Sequence, residues 1–353
     1  MRNDSPPTLS DVARLARVGT TTVSRVINGG ARVSPKTLER VREVIRQLGY
    51  SPNHAAQTLK GGRTKTIGLV IPSIADSFFA TCTEAAQLVA GQNSCLLIVT
   101  ASRNDPNLEL ESLRALVRQR VDGLLLAPAN SKSDLLAEFL AKCPIPVVTF
   151  DRPVHNTTVP SVVADNYEGA RAATQHLIDH GYKRILCLGG EPALYTIQER
   201  IHGYRAAVSA AKLPALVDMT VNDYKSAEYA IESQFVASMR PDAVFTLKNS
   251  TTISVFETLQ KQRIAIPGTL ALLGFDDFEL ASTLRPAISV VQQPIEELGR
   301  VAAELLFEQV FGTKKARSKL GSELAPRRAQ PRCKQIKLKT RLLLRGSCGC
   351  TVE

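Results

Sequence analysis

Thr8-Leu9-Ser10-Asp11-Val12-Ala13, followed by Thr20-Thr21-Thr22-Val23-Ser24-Arg25-Val26-Ile27-Asn28, is the stretch whose spacing decides how this chain starts to fold. Thr8 and Asp11 stand three residues apart, the spacing at which hydroxyl and carboxylate each satisfy an orphan N–H of a helix start. Leu9, Val12, Ala13, Leu15 and Ala16 then fall mostly on one face. Arg17-Val18-Gly19 breaks the pattern. A second helix is expected over 20–28, with Val23, Val26 and Ile27 inward at i, i+3 and i+4. Thr21, Ser24, Arg25 and Asn28 are left on its outer face, and Thr20 leads it. Short helix, tight turn, short helix with a polar, Arg-bearing face is the helix-turn-helix pattern.

Working outward, Ser34-Pro35 supplies an N-cap and an N1 proline, and Leu38, Val41, Ile45 and Leu48 line one face of a third helix that Gly49 stops. Tyr50-Ser51-Pro52-Asn53 leads into a short helical segment, His54 to Lys60, released by Gly61-Gly62. Isolated helices below ~12–15 residues are marginal in water, so this one is expected to form only against a partner, a twin copy or a DNA groove.

The ordered set Thr8 to Ala13, Thr22 to Asn28, Val33-Ser34 and Leu48 to Asn53 resembles the lactose/purine-repressor (LacI/GalR) family of bacterial transcription regulators, densely in the head and more loosely to about residue 311. The resemblance implies that Thr20, Thr21 and Arg25 read base edges. An Arg there can bond guanine bidentately, worth ~1–3 kcal/mol against a wrong base. Thr8 and Thr22 suit phosphate or capping roles, and Asn28 joins the DNA-facing set. Arg17 and Gly19 depart from the family's usual Gly and Ser, which removes a phosphate-bonding hydroxyl at 19. Leu59 matches the leucine that relatives wedge into the minor groove, with Ala55 and Ala56 letting two hinges approach and Lys60 near phosphate. The alternative is that Leu59 only stabilises the dimer hinge. The implied partners are a palindromic double-stranded operator, a second copy of the chain and a small effector.

The chain has 353 residues and a net charge of +11. The excess sits at the ends: residues 1–65 carry 12 basic and 4 acidic side chains, 312–353 carry 12 and 2, and the middle is acidic. A basic head suits a phosphate backbone and predicts salt-dependent binding. The basic stretch about 312–335 has loop composition and reads as a solvated loop, a second nucleic-acid contact being the alternative. No apolar run reaches the ~18–20 residues of a membrane span, and the first residues lack a signal-peptide core, so a cytoplasmic protein is expected. Seven scattered cysteines argue against a disulfide framework. Cys348-Gly349-Cys350 is the only close pair. A lone C-x-C without nearby His is weak support for a metal, so no metal and no cofactor is expected.

From Thr66 onward, Val/Ile/Leu-rich runs at 66–72, 95–101, 123–129 and 146–151, and again at 161–165, 184–190, 242–247, 270–277 and 288–293, alternate with helix-length segments. Runs without strict alternation suit strands buried on both faces of parallel sheets. The expected fold is α/β: an all-α helix-turn-helix head and a periplasmic-binding-protein-like domain of two Rossmann-like lobes. The expected domains are a head at 1–50, a hinge helix and linker at 51–64 and an effector-binding and dimerisation domain at 65–353. Ile336 to Arg345 alternates well enough for one strand returning to the sheet.

Two such lobes make a cleft at the carboxyl ends of their strands. Carboxylates, amides and an Arg there, with an aromatic nearby, fit a polyhydroxylated ligand. The resemblance places Phe78, Asp151, Arg200, Tyr224, Asp276 and Gln293 on cleft-lining positions, with Arg152 possible beside them. It also marks a departure. Relatives commonly carry Asn where this chain has Lys248. A Lys with Arg200 and Arg152 would favour an anionic effector, a sugar acid or sugar phosphate, over a neutral sugar. The alternative is Lys248 turned to solvent or paired with Asp276. No P-loop, no G-x-S-x-G and no clustered metal ligands among five His appear, so an enzyme is not expected. A solute receptor without a DNA role remains the other reading, opposed by the complete head.

Overall fold

The structure is a computed structural model that describes residues 7–27, 32–50, 63–236, 240–312 and 334–350. It divides into two units, residues 1–64 and 65–353.

In the first unit, α1 (Leu9–Leu15), α2 (Thr20–Ile27) and α3 (Pro35–Leu48) close on Val12, Ala13, Ala16, Val23, Val26, Val41 and Val44. Thr8 forms the expected capping box with Asp11, and Ser34 caps α3 ahead of Pro35. Gly49, at φ 60°, ends α3 in the left-handed conformation that glycine adopts without steric cost. Leu15 departs from expectation: it is exposed, because α1 turns Val12, Ala13 and Ala16 inward, with Leu9 half-buried beside them.

In the second unit, alternating short strands and helices build two six-stranded sheets. The first holds β1 (Thr66–Ile71), β2 (Leu96–Ala101), β3 (Gly123–Leu126), β4 (Val147–Phe150), β5 (Ser161–Ala164) and β11 (Gln335–Leu338), in the order β2-β1-β3-β4-β5-β11, all parallel. The second holds β6 (Ile185–Leu188), β7 (Leu216–Asp218), β8 (Ala243–Thr246), β9 (Ala271–Phe275), β10 (Ser289–Gln292) and β12 (Arg341–Leu343). It repeats that order as β7-β6-β8-β9-β10-β12, with β12 antiparallel.

Each sheet is covered on both faces, which is why its strands read as unbroken apolar runs. Ile67, Leu69, Ile71 and Leu125 face α4 (Ser77–Gln92) and α11 (Ile295–Phe311). Val70, Leu124 and Leu126 face α5 (Pro106–Arg118) and α6 (Asp134–Lys142). In the second lobe, Ile185, Cys187, Phe245 and Leu273 face α7 (Asn166–Asp179) and α8 (Tyr195–Ala210). Leu186, Leu188, Val244 and Leu272 face α9 (Tyr224–Val236) and α10 (Asn249–Lys261).

The chain passes between lobes three times: after β5, after β10 and between β11 and β12. The last passage corrects the expectation of one strand over 336–345. Leu338 ends its pairing with β5 by accepting the Asp165 N–H, and Lys339-Thr340 then carries the chain to the other sheet. Sequence alternation cannot distinguish one strand from two that share its phase. Among the described residues, no helix is long and apolar enough to cross a membrane.

Candidate ligand cleft and nucleic-acid interface

In the head, the inward turn of Val23 and Val26 leaves Thr20, Thr21 and Arg25 exposed along α2 and Thr22 half-buried. Arg25 makes no ion pair among the described residues, so its guanidinium is available to an external acceptor. The Gly19 carbonyl takes the N–H groups of Thr22 and Val23, so the turn stands without a side chain at 19. Arg17 holds φ 52° in that turn. The Thr8 hydroxyl donates to Asp11 Oδ2 at 2.6 Å and accepts the Asp11 N–H. That is the capping role of the two expected for it, and it uses the hydrogen a phosphate would need. The Thr8 hydrogen bonds, with Arg14, hold the Asp11 carboxyl down at about 2. Asn28, Ala56, Leu59 and Lys60 lie outside the described residues, as does most of the basic stretch 312–335.

The second unit has a cavity of about 870 Å³ lined from both lobes at the carboxyl ends of their strands. β1 and β6 feed it, the strands at which each sheet's order reverses, where doubly wound sheets bind ligands. Of the expected residues, Phe78, Asp151, Arg152, Arg200, Lys248, Asp276 and Gln293 line it. Tyr224 does not. It stands at the start of α9, and its ring lies under Lys261 Nζ at 5.2 Å. The expectation for Tyr224 is therefore corrected: a family-matched position at a helix start did not fix the direction of its side chain, which packs toward Lys261 instead.

Arg200 organises the second lobe's wall. Its Nε donates to Asn166 Oδ1 at 2.8 Å and its Nη1 to the Leu247 carbonyl at 2.6 Å. Nη1 and Nη2 fork onto Asp276 at 3.0 and 3.4 Å, and the guanidinium lies 3.7 Å over the Phe275 ring. A planar fork fixed on both sides is something lysine cannot reproduce. Gln293 Nε2 donates to the same Asp276 at 2.6 Å, while its buried Oε1 has no partner. On the first lobe's wall, Arg152 Nε donates to Asp151 at 3.0 Å and its Nη1 to Asn104 and the Pro128 carbonyl. Burial raises the Asp151 carboxyl, against the pull of Arg152 and Arg200. Asp76 caps α4 by accepting the Phe78 N–H, which sets Phe78 at the rim, edge-on to Phe79.

The electrostatics change the expectation for Lys248. Its Nζ bonds Glu191 Oε2 at 2.6 Å, not Asp276. Arg152, Arg200 and Lys248 thus each face a carboxylate partner, while Arg103, exposed on the same lining, has no ion pair among the described residues.

Sequence reasoning missed Arg103, Asn104 and Glu191. All three follow the strand ends of β2 and β6, the same signal that pointed to Asp151 and Asp276. These five residues share a second property: left-handed backbone, with φ between 53° and 73°. Non-glycine residues in that region store strain of order 1–3 kcal/mol each, and such strain concentrates at binding sites.

Residues 64–336 match the family model described as periplasmic binding proteins and sugar binding domain of LacI family, and residues 8–53 match that of bacterial regulatory proteins, lacI family. The chain belongs to the LacI family. The match extends past residue 311, where the resemblance visible in the sequence faded. Within the LacI family, the ribose operon repressor of Haemophilus influenzae is 33% identical over 306 residues, which span 86% of this chain and 92% of that protein. Among solved structures, the transcriptional regulator CelR in complex with cellobiose is 30% identical, with a TM-score of 0.68 over 97% of this chain and 99% of that one. The Lac repressor dimer bound to operator and the anti-inducer ONPF superposes with a TM-score of 0.83 at 22% identity, over 98% and 99% of the two chains, a likeness of fold.

Proposed function

We propose that this LacI-family chain is a transcriptional repressor that binds a palindromic operator as a homodimer under the control of a small, neutral, polyhydroxylated effector. The observation that carries the reading is the pairing, in one chain, of an exposed threonine- and arginine-bearing α2 with a polar-walled cavity whose Arg152, Arg200 and Lys248 are each matched by a carboxylate. Thr20, Thr21 and Arg25 read base edges, Thr22 and Asn28 contact phosphate or flank the reading positions, and Thr8 holds α1 in shape. Residues 51–64 act as hinge and linker between a head at 1–50 and the effector domain at 65–353, with Ala56, Leu59 and Lys60 on the DNA side. The protein acts in the cytoplasm and is not an enzyme.

The cleft chemistry supports a sugar. Arg200, Asp276 and Gln293 offer donors and acceptors on one wall, and Asp151, Arg152 and Asn104 on the other, with Phe78 at the rim for a C–H face. The unpartnered Gln293 Oε1 is a buried acceptor that a ligand hydroxyl satisfies. A sugar acid or sugar phosphate finds no unmatched cation on Arg152, Arg200 or Lys248.

Selection of duplexes from a random library, followed by fluorescence anisotropy at two salt concentrations, tests the DNA half. A palindromic site should emerge whose affinity falls steeply with salt. Calorimetry with neutral sugars and their acid and phosphate derivatives tests the other half. Tight binding of an anion only, abolished in Lys248→Ala, would overturn the neutral-effector reading.

A further inference from the structure

We propose that His176, His180, Cys348 and Cys350 form a tetrahedral Zn2+ site, away from the ligand cleft, that clamps the C-terminal turn to α7. The sequence separates these groups by some 170 residues, and only the fold brings them together. His176 lies in the last turn of α7 and His180 is its C-cap, so the two imidazoles stand one helical turn apart on one face. Cys348 closes the 3-10 turn Gly346–Cys348 after β12, and Cys350 follows by two residues.

The distances around the two sulfurs are those of neighbouring ligands on one ion. Cys348 Sγ lies 3.3 Å from His176 Nε2 and 3.4 Å from Cys350 Sγ. Cys350 Sγ lies 3.5 Å from His176 Nε2 and 3.3 Å from His180 Nε2. A tetrahedral ion with ~2.3 Å bonds to sulfur and ~2.0–2.1 Å bonds to nitrogen sets neighbouring ligand atoms about 3.3–3.8 Å apart. Two thiolates and two imidazoles in that geometry select Zn2+ over the oxygen-seeking Mg2+ and Ca2+. The ligand atoms of His176, His180 and Cys350 lie within 4.8 Å of one another, and Cys348 Sγ adjoins two of these three residues, His176 and Cys350.

The surroundings are built for the same task. Ser289 Oγ lies 3.1 Å from Cys348 Sγ and can donate to it, the kind of outer-shell bond that steadies a metal thiolate. Gly349 holds φ 98°, and a Cβ there would meet Tyr182 Oη at 2.9 Å. Glycine between the cysteines thus lets both sulfurs turn to one side. Cys348 is buried while His180 is exposed, which leaves the ion a path from solvent. The ion would add a bond from α7 to the turn after β12, a three-residue edge strand already paired with β10, and so to the end of the third passage between lobes.

Titration of the full-length, reduced protein with Co2+ as spectroscopic probe and Zn2+ as competitor tests this. The expected result is one equivalent of Co2+ per chain, with the intense ligand-field and thiolate charge-transfer bands of a tetrahedral site, displaced by Zn2+. Cys350→Ser and His180→Ala, both at partly exposed positions, should each weaken binding at least tenfold. Chelation should lower the wild-type Tm and leave that of Cys350→Ser unchanged. Octahedral spectra, absence of binding, equal binding by both variants, or a Cys348–Cys350 disulfide in the reduced preparation would each overturn the site.

Discussion

Glu109 is 1% exposed, and its carboxylate has one partner, the Ala129 N–H at 2.6 Å on Oε2, with Oε1 buried and unpartnered. Burial raises its carboxyl to about 7, against smaller opposing effects of the Ala129 N–H and Arg152. The folded state therefore keeps a proton that the unfolded chain releases near 4.5. Stability contributed by Glu109 is full below that value and falls as pH rises toward 7, by about 3 kcal/mol at most. Chemical denaturation of wild type and Glu109→Gln across that window checks it: the difference between them should shift with pH and flatten above 7. Arg200→Lys tests the cleft at the same scale. Loss of the fork onto Asp276 and of the Asn166 bond should weaken effector binding at least tenfold, about 1.4 kcal/mol, as read by calorimetry. The strand-end rule made Asp151, Asp276 and Gln293 legible in the sequence. The resemblance that placed Tyr224 in the cleft failed, since its ring turns to α10, and the strand-end rule left Lys248 without its true partner, because Glu191 lies 57 residues away. His176 and His180 carried a helical i, i+4 spacing, but no local pattern tied them to Cys350.

Between elements, glycines decide how closely helices approach. A Cβ on Gly203 would stand 2.2 Å from the Tyr167 carbonyl, so α7 and α8 meet backbone to backbone there. On Gly91, near the end of α4, a Cβ meets nothing within 4 Å. The two substitutions should therefore act in opposite directions. Gly203→Ala should destabilise by about 1–3 kcal/mol through overpacking. Gly91→Ala should stabilise by roughly 0.5–1 kcal/mol through helix propensity. Urea unfolding of both variants measures the pair, and a stable Gly203→Ala would show that the α7–α8 contact relaxes freely. The elements themselves were largely readable, because strands covered on both faces leave continuous apolar runs. The exceptions were the shortest. β7 and β12 have three residues each, held by pairing with β6 and β10 rather than by a pattern of their own.

At the scale of the whole molecule, three passages connect two lobes of the same strand order around one cavity, and a basic DNA-reading head precedes them in the chain. That repetition was legible as two successive βα series. The third passage was not, because it depends on which sheet accepts each half of 336–345. If the effector and the operator are coupled as proposed, the coupling is a free energy and must be reciprocal. Whatever factor the effector imposes on operator affinity, the operator must impose on effector affinity. A coupling of 1–3 kcal/mol corresponds to roughly 5–150-fold. Anisotropy with a selected palindrome, with and without saturating sugar, gives one factor. Calorimetry with that sugar, with and without the palindrome, gives the other. Equal factors above fivefold establish the regulator. Two factors near unity, with both ligands bound tightly, would mean that head and cleft act independently and that the control of DNA binding lies elsewhere.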